Sequence, residues 1–282
     1  VGRSSFWMAS GTIFSRALGF IRAILLAFAI GVTTDAADAF GVANQLPNNV
    51  YALIMGGVLN AILVPQLVKA RKMKDDGRGY IDRFATLALV VFFAIGAIAT
   101  ISAPLMIGLY TTGWSDSQVA LATAFAYWTI PQLFFYGLYS VFGEVLNSRS
   151  AFGPFMWAPA LNNVVSILGL GAFVWVFGAD SEGQRAISSW GADQIALLAG
   201  SATAGVAAQA VILLFFWKRI GLRLNLNFKF SGYGIGAGLK TASWSFAMVL
   251  ISQIGALVQT NVASSAAQAR AEGLIIASVA AA

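Results

Sequence analysis

Neither cysteine nor histidine occurs among the 282 residues. Their absence removes thiolate nucleophiles, disulfides, most zinc sites and the usual general base at neutral pH, so catalysis is a poor first expectation. Charge is scarce as well. Asp, Glu, Lys and Arg make up 10% of the chain and hydrophobic residues 59%, against roughly a quarter charged in soluble domains. An ordinary water-soluble globular protein is excluded. The few charges are bunched, leaving charge-free runs at 39–68, 84–115, 117–143, 150–179, 194–217 and 241–269. Each is longer than the roughly 20 residues that an α-helix needs to cross a bilayer core. A β-barrel is excluded too, since its strands would be about 10 residues of alternating polarity.

What is present therefore predicts an all-α polytopic membrane protein. Placing loops where charge, Gly, Pro and Asn collect gives helices near 6–31, 37–68, 84–110, 119–147, 155–178, 193–218 and 237–260, with an eighth beginning near 273. The apolar start, 6–32, is too long for a cleavable signal peptide and carries Arg16 and Arg22 within it. The chain begins with Val1, and its last apolar stretch, 274–282, is too short to span, so the sequence reads as a piece of a longer protein.

The net charge of +6 does not point to nucleic acid, because the basic residues sit in short loops rather than along one face. They alternate. Arg3 precedes the first helix; Lys69, Arg71, Lys72, Lys74, Arg78 and Arg83 surround the second loop; Arg149 marks the fourth; Lys218, Arg219, Arg223, Lys229 and Lys240 mark the sixth. The odd loops hold only Arg185 and Arg270. Positively charged residues concentrate on the cytoplasmic side, which puts the amino terminus in the cytoplasm.

Several polar residues lie where hydrocarbon is expected. Arg16 is ten residues into the first helix, roughly 15 Å deep, where a bare guanidinium costs at least about 2.5 kcal/mol. That depth favours a cavity-lining role over snorkelling. Arg22 is about 9 Å further along the axis and roughly 120° round it, so the two need a wide cavity if they are to share one. For Arg22, snorkelling and cavity lining stay open. Asp38, at the start of the second helix, is either a partner for these arginines or a helix-dipole charge. Glu144 sits close before Arg149 and reads as an interfacial carboxylate. Asn44, Gln45, Pro47, Asn48 and Asn49 interrupt the second helix. Either they face a wet cavity or they form a packed kink whose amides bond neighbouring helices. Pro131 with Gln132, and Pro159 with Asn162 and Asn163, repeat the theme. Gly232, Gly234, Gly236 and Gly238 lack the strand and the Gly-Lys-Ser/Thr of a phosphate loop.

The segment Phe14-Ser15-Arg16-Ala17-Leu18-Gly19-Phe20-Ile21-Arg22, followed by Asp38-Ala39-Phe40, Ala43, Leu46-Pro47-Asn48 and Val64-Pro65, resembles the MurJ (MviN) family. Leu146-Asn147, Phe152-Gly153, Ala158-Pro159 and Asn162-Asn163 agree in the same order. The resemblance covers essentially the whole chain. It implies a bundle like those of the multidrug/oligosaccharidyl-lipid/polysaccharide (MOP) exporters, with about eight transmembrane helices present: a six-helix lobe over 1–232, then helix seven and the start of helix eight over 233–282, with the second lobe truncated.

The same resemblance implies a transporter without cofactor, catalytic residue or metal ligand, sitting in the bacterial cytoplasmic membrane. It would flip lipid II, the undecaprenyl-pyrophosphate-linked peptidoglycan precursor, outward by alternating access around a cationic cavity. Its partners would be lipid II, the bilayer and cell-wall synthesis proteins. Arg16, Arg22, Asp38 and Asn48 are carried over as substrate-binding. The sequence also departs from the pattern: Tyr51, Ala52 and Gly56-Gly57 stand where relatives often have arginine and Glu-Gly, and Arg270 precedes rather than occupies helix eight. Another MOP exporter, for drugs or polysaccharide lipids, and a non-transporting scaffold for cell-wall enzymes are the competing readings.

Overall fold

The computed structural model of the chain describes residues 2–54, 75 and 77–230. These form α1 (Gly2–Ile30), α2 (Asp35–Ile54), α3 (Arg78–Ile101), α4 (Ala103–Tyr110), α5 (Asp116–Thr129), α6 (Gln132–Ser148), α7 (Phe152–Phe177), a 3-10 turn (Ile187–Ser189) and α8 (Ala192–Arg219). Among the described residues no strand occurs. Apart from the last two residues of α2, these helices belong to one compact unit, Val1–Ala52 with Leu63–Tyr233.

Among the described residues five stretches are long and apolar enough to cross a membrane: Ala9–Ile30, Arg78–Ile101, Asp116–Ser148, Phe152–Phe177 and Ala192–Arg219. They match the first, third, fourth, fifth and sixth helices read from the sequence. The rest of the second helix, together with helices seven and eight, lies outside the described residues. Large apolar side chains stand on the outer faces, among them Phe20 (69% exposed), Phe93 (66%) and Trp175 (86%). Water would not tolerate so much exposed apolar surface; lipid tails are its natural complement.

Two helices expected to be continuous are each divided. The third breaks at Ser102, where Pro104 at the next helix start has no N–H to offer. The fourth breaks at Ile130 and Pro131, after which Leu133 N donates to Ile130 O at 2.9 Å in the tighter one-in-three pattern. By contrast Pro47 and Pro159 lie inside helices that run on, and the reason is visible at the carbonyl that each proline frees four residues back. Ala43 O accepts from Thr129 Oγ1 at 2.7 Å. Phe155 O accepts from Tyr139 Oη at 2.9 Å. A hydroxyl on a neighbouring helix replaces the missing backbone donor, as hydrocarbon requires. Thr129→Val and Tyr139→Phe are therefore each expected to cost about 1 kcal/mol, read as a lower melting temperature of the detergent-solubilised protein.

Close helix approach comes from small residues. A Cβ on Gly205 of α8 would meet the Asn162 backbone oxygen of α7 at 2.8 Å, so only glycine lets the two backbones come this near. Beside it Asn162 Nδ2 donates to Gln209 Oε1 at 3.0 Å and Ser166 Oγ to Asn162 Oδ1 at 3.3 Å, a hydrogen-bonded seam between α7 and α8. Trp217, fully buried at the far end of α8, donates Nε1–H to Phe142 O at 3.1 Å.

At the end of the unit that holds the α1–α2 turn, Arg185 has a local structural role. Its Nη2 donates to Phe177 O (2.9 Å) and Gly178 O (3.3 Å), closing the carboxyl end of α7, and its guanidinium lies 5.4 Å from the Phe173 ring centroid and 5.5 Å from that of Trp190. At the other end, Gly79 and Gly77 N–H groups hold the Asp75 carboxyl below its ordinary range and start α3. Residues 222–230 run back along α3: Asn227 N donates to Thr86 Oγ1 at 2.8 Å and Arg83 Nε to Lys229 O at 2.7 Å.

Candidate functional site

The two arginines of α1 are turned to different environments. Gly11, Ser15 and Gly19, four residues apart, form the face of α1 that lies on α7: a Cβ on Gly11 would meet Trp157 at 2.8 Å, and Asn163 Nδ2 donates to Ser15 O at 2.8 Å. Arg22 is seven residues after Ser15, two turns on and about 20° round, so the packing of α1 carries it inward. It is half-buried and lines a crevice of about 10 Å³ with Leu26, Phe40, Ser166, Leu170, Leu198 and Ser201. Arg16, one residue after Ser15 and so about 100° away, is exposed.

On α2, Asp38 and Asn48 share one face. Asp38, Gly41, Gln45, Asn48 and Ala52 are all exposed, while Ala39, Phe40, Ala43, Leu46 and Pro47 on the opposite side are buried. Ten residues separate Asp38 from Asn48, about 15 Å of helix. Asp38 also lies in the first turn of α2 with Asp35, where the helix dipole favours a carboxylate. Among the described residues no ion pair links Asp38 to Arg16 or Arg22, and no hydrogen bond brings the four residues together.

A connected series of polar side chains joins α2, α6 and α8 in the same unit. The Tyr136 ring packs against Tyr51 of α2 with centroids 5.3 Å apart and planes 33° from parallel. Tyr51 Oη shares a hydrogen bond with Ser140 Oγ, and Tyr136 Oη donates to Gln132 Oε1 at 3.3 Å. Buried Gln132 in turn donates Nε2–H to Asn44 Oδ1 and Thr203 Oγ1, both at 3.1 Å. Thr203 Oγ1 in turn donates to Trp128 O at 2.7 Å, at the break beside Pro131. Half-buried Glu144 extends the same line toward the end of α6 and is within electrostatic reach of Tyr51 and Tyr139. The carboxylate read as interfacial thus ends an inward-facing polar series.

That series carried a signal in the sequence. Gln132, Tyr136, Ser140 and Glu144 recur every four residues, which on a helix makes one stripe. Asn44 was singled out with its neighbours, and the packed kink is the arrangement it occupies: its amide bonds α6 while Thr129 satisfies the carbonyl freed by Pro47. Among the described residues no group of three acidic side chains is placed to hold a metal ion.

An uncompensated guanidinium in a membrane span is costly, so Arg22, with no ion pair among the described residues, marks a place where an anion would be stabilised. Long apolar helices wrapped round such a polar seam define a polytopic, all-helical membrane protein, and superposition gives its fold as that of the MOP exporters. A solved structure of the lipid II flippase MurJ in an inward closed conformation superposes with a TM-score of 0.65 at 21% identity, over 90% of this chain and 50% of that one. A MOP superfamily transporter from Pyrococcus furiosus gives 0.58 at 14%, over 88% of this chain and 53% of that one. A curated protein of Rhizobium meliloti named "Probable lipid II flippase MurJ" is 28% identical over 264 residues, 91% of this chain and 47% of its own length. The family model described as lipid II flippase MurJ matches residues 26–281. The chain belongs to the MurJ family, a family of flippases rather than enzymes, and spans about half the length of the curated relative from Rhizobium meliloti.

Proposed function

We propose that the full-length protein moves lipid II from the inner to the outer leaflet of the bacterial cytoplasmic membrane, and that the described helices form most of its first lobe. The observation that carries this reading is Arg22: a guanidinium held half-buried in a span by the α1–α7 packing, without a carboxylate partner among the described residues. A pyrophosphate is the anion that best suits such a donor, since the planar fork binds phosphate oxygens in pairs. Arg16, with Asp38 and Asn48 on the exposed face of α2, would meet the same head group from the cavity side. The polyprenyl tail stays in lipid, where it costs nothing, while the charged head crosses through a wet, cationic passage.

In this reading residues 1–232 are one lobe and 233–282 begin the second, and the two rock in alternating access. The amino terminus is cytoplasmic, as the alternation of basic loops requires, and cell-wall synthesis proteins are natural partners because they make and consume the cargo. Depleting the wild-type copy in cells that express an Arg16→Ala full-length protein tests it. Lipid II exposed at the surface, read by its accessibility to an added hydrolase, should collapse while immunoblots show normal membrane levels; undiminished exposure would remove Arg16 from the passage. A second reading, an exporter of another lipid-linked or amphiphilic cargo, draws on the fold likeness to the Pyrococcus furiosus transporter. It predicts arginine-dependent binding that does not discriminate for polyprenyl pyrophosphate.

A further inference from the structure

Shortly after α8, residues 222–230 alternate strictly in polarity: Leu222, Leu224, Leu226, Phe228 and Phe230 are apolar, with Arg223, Asn225, Asn227 and Lys229 between them. The backbone of this strap is pinned to α3. Asn225 N donates to Asp82 Oδ1 at 3.4 Å and Asn227 N to Thr86 Oγ1 at 2.8 Å, while Arg83 Nε donates to Lys229 O at 2.7 Å. Asp82 and Thr86 are about one turn apart, roughly 6 Å of helix, and two residues of extended chain cover about the same length. The strap therefore runs beside α3 along its axis, away from the Arg78 end and into the apolar stretch Arg78–Ile101.

That course brings apolar groups to the membrane boundary. Leu226 and Phe228 are each 62% exposed, and the Phe228 and Phe230 rings meet edge to face with centroids 6.4 Å apart. Cations surround the same place. Lys218 and Arg219 end α8, Arg223 and Lys229 lie on the strap, and Arg78 starts α3; all five are exposed. The Arg219 guanidinium lies 4.9 Å from the ring centroid of exposed Phe215. A Cβ on Gly221 would stand 3.9 Å from Arg78 Nη2, so the chain just before the strap meets the start of α3. The described carboxylates at this start are already engaged by backbone N–H groups: Asp75 by Gly77 and Gly79, Asp82 by Asn225.

We propose that the strap, with the cationic ends of α3 and α8, forms a docking surface for an anionic phospholipid of the cytoplasmic leaflet. Leu226 and Phe228 enter the boundary beside the acyl chains, and Arg219, Arg223 and Lys229 take the phosphodiester. The two chemistries lie side by side, as an interfacial element requires. Net charge decides which lipid is held: a zwitterionic head group brings its own cation to a place already rich in them, whereas phosphatidylglycerol brings only the anion. The proposal uses the membrane orientation proposed above and is independent of the cargo.

The test places a bimane on Phe228→Cys, as the single thiol label of the full-length protein in liposomes, and measures its quenching by phosphatidylglycerol or phosphatidylcholine brominated on the acyl chains. Both lipids should quench, with phosphatidylglycerol favoured about fivefold in apparent affinity, the effect of one cation at an anionic surface. Adding Arg219→Gln, Arg223→Gln and Lys229→Gln should make the two lipids equal while both still quench. Equal quenching in the protein that keeps its three cations overturns the proposal, as does a preference that survives their loss. Quenching by neither lipid also overturns it, since position 228 would then lie outside the bilayer, on a face left to water or to a protein. None of these results touches the flippase reading, which translocation measures separately.

Discussion

Replacing Arg22 with alanine is expected to weaken the binding of a polyprenyl pyrophosphate by about 30-fold or more, the lower end of what truncating one side of a desolvated charge pair costs. The argument is geometric. Ser15 and Gly19 seat α1 against α7, with Asn163 Nδ2 donating to Ser15 O at 2.8 Å, and this turns Arg22 inward among Phe40, Ser166, Leu170 and Ser201. Of those neighbours only the serines are polar and none is charged, so the anion is the group that would compensate the guanidinium. Arg22→Lys keeps the charge but loses the two-pronged donor and should fall between wild type and alanine. Unchanged affinity in Arg22→Ala, measured on protein with a wild-type melting temperature, would make this arginine a structural residue that reaches an interface.

The second large effect is on the fold. Gly205→Leu should cost about 3 kcal/mol or more and leave little folded protein in the membrane, because even the first carbon of the new side chain would stand 2.8 Å from the Asn162 backbone oxygen and 2.8 Å from Ser166 Oγ. A backbone oxygen cannot swing aside as a flexible side chain would. The seam of Asn162, Ser166 and Gln209 would open with it, leaving amide groups unpaired in a medium that cannot hydrate them. Gly171→Leu is the control: that glycine lies on the same helix as Asn162, is exposed, and has nothing within 4 Å of an added Cβ. Yields measured by fluorescence-detected gel filtration should fall sharply for Gly205→Leu and stay near wild type for Gly171→Leu. Equal yields would mean that α7 and α8 do not pack through Gly205.

The bundle was legible in the sequence because a membrane helix needs little more than length and the absence of charge, and both can be counted. The helix breaks were not, although the prolines were in plain view. Pro47 and Pro159 look like Pro104 and Pro131 along the chain. What separates the first two is whether a hydroxyl from another helix reaches the freed carbonyl, and Thr129 and Tyr139 do so only once the helices have packed.

The same holds for the candidate site. Arg16, Arg22, Asp38 and Asn48 stood out as polar residues among apolar ones, yet which way each is turned depends on the small-residue face of α1 and the buried face of α2. Tyr136 escaped notice because tyrosine is unremarkable in a membrane helix, and only the four-residue recurrence of Gln132, Tyr136, Ser140 and Glu144 marked the stripe. Tyr51 entered the sequence reading as a departure from the family pattern; its packing on Tyr136 is a tertiary fact.

The central claim is that a lipid-linked pyrophosphate crosses the membrane through this protein by way of its two α1 arginines. The most direct measurement is translocation itself: the full-length protein in liposomes with a fluorescent lipid II analogue, and the rate at which inner-leaflet fluorophore becomes accessible to an impermeant quencher. The account predicts transfer well above that of protein-free liposomes, abolished in the Arg16→Ala, Arg22→Ala double variant reconstituted at equal density. Transfer no faster than in empty liposomes, or transfer indifferent to both arginines, would contradict it.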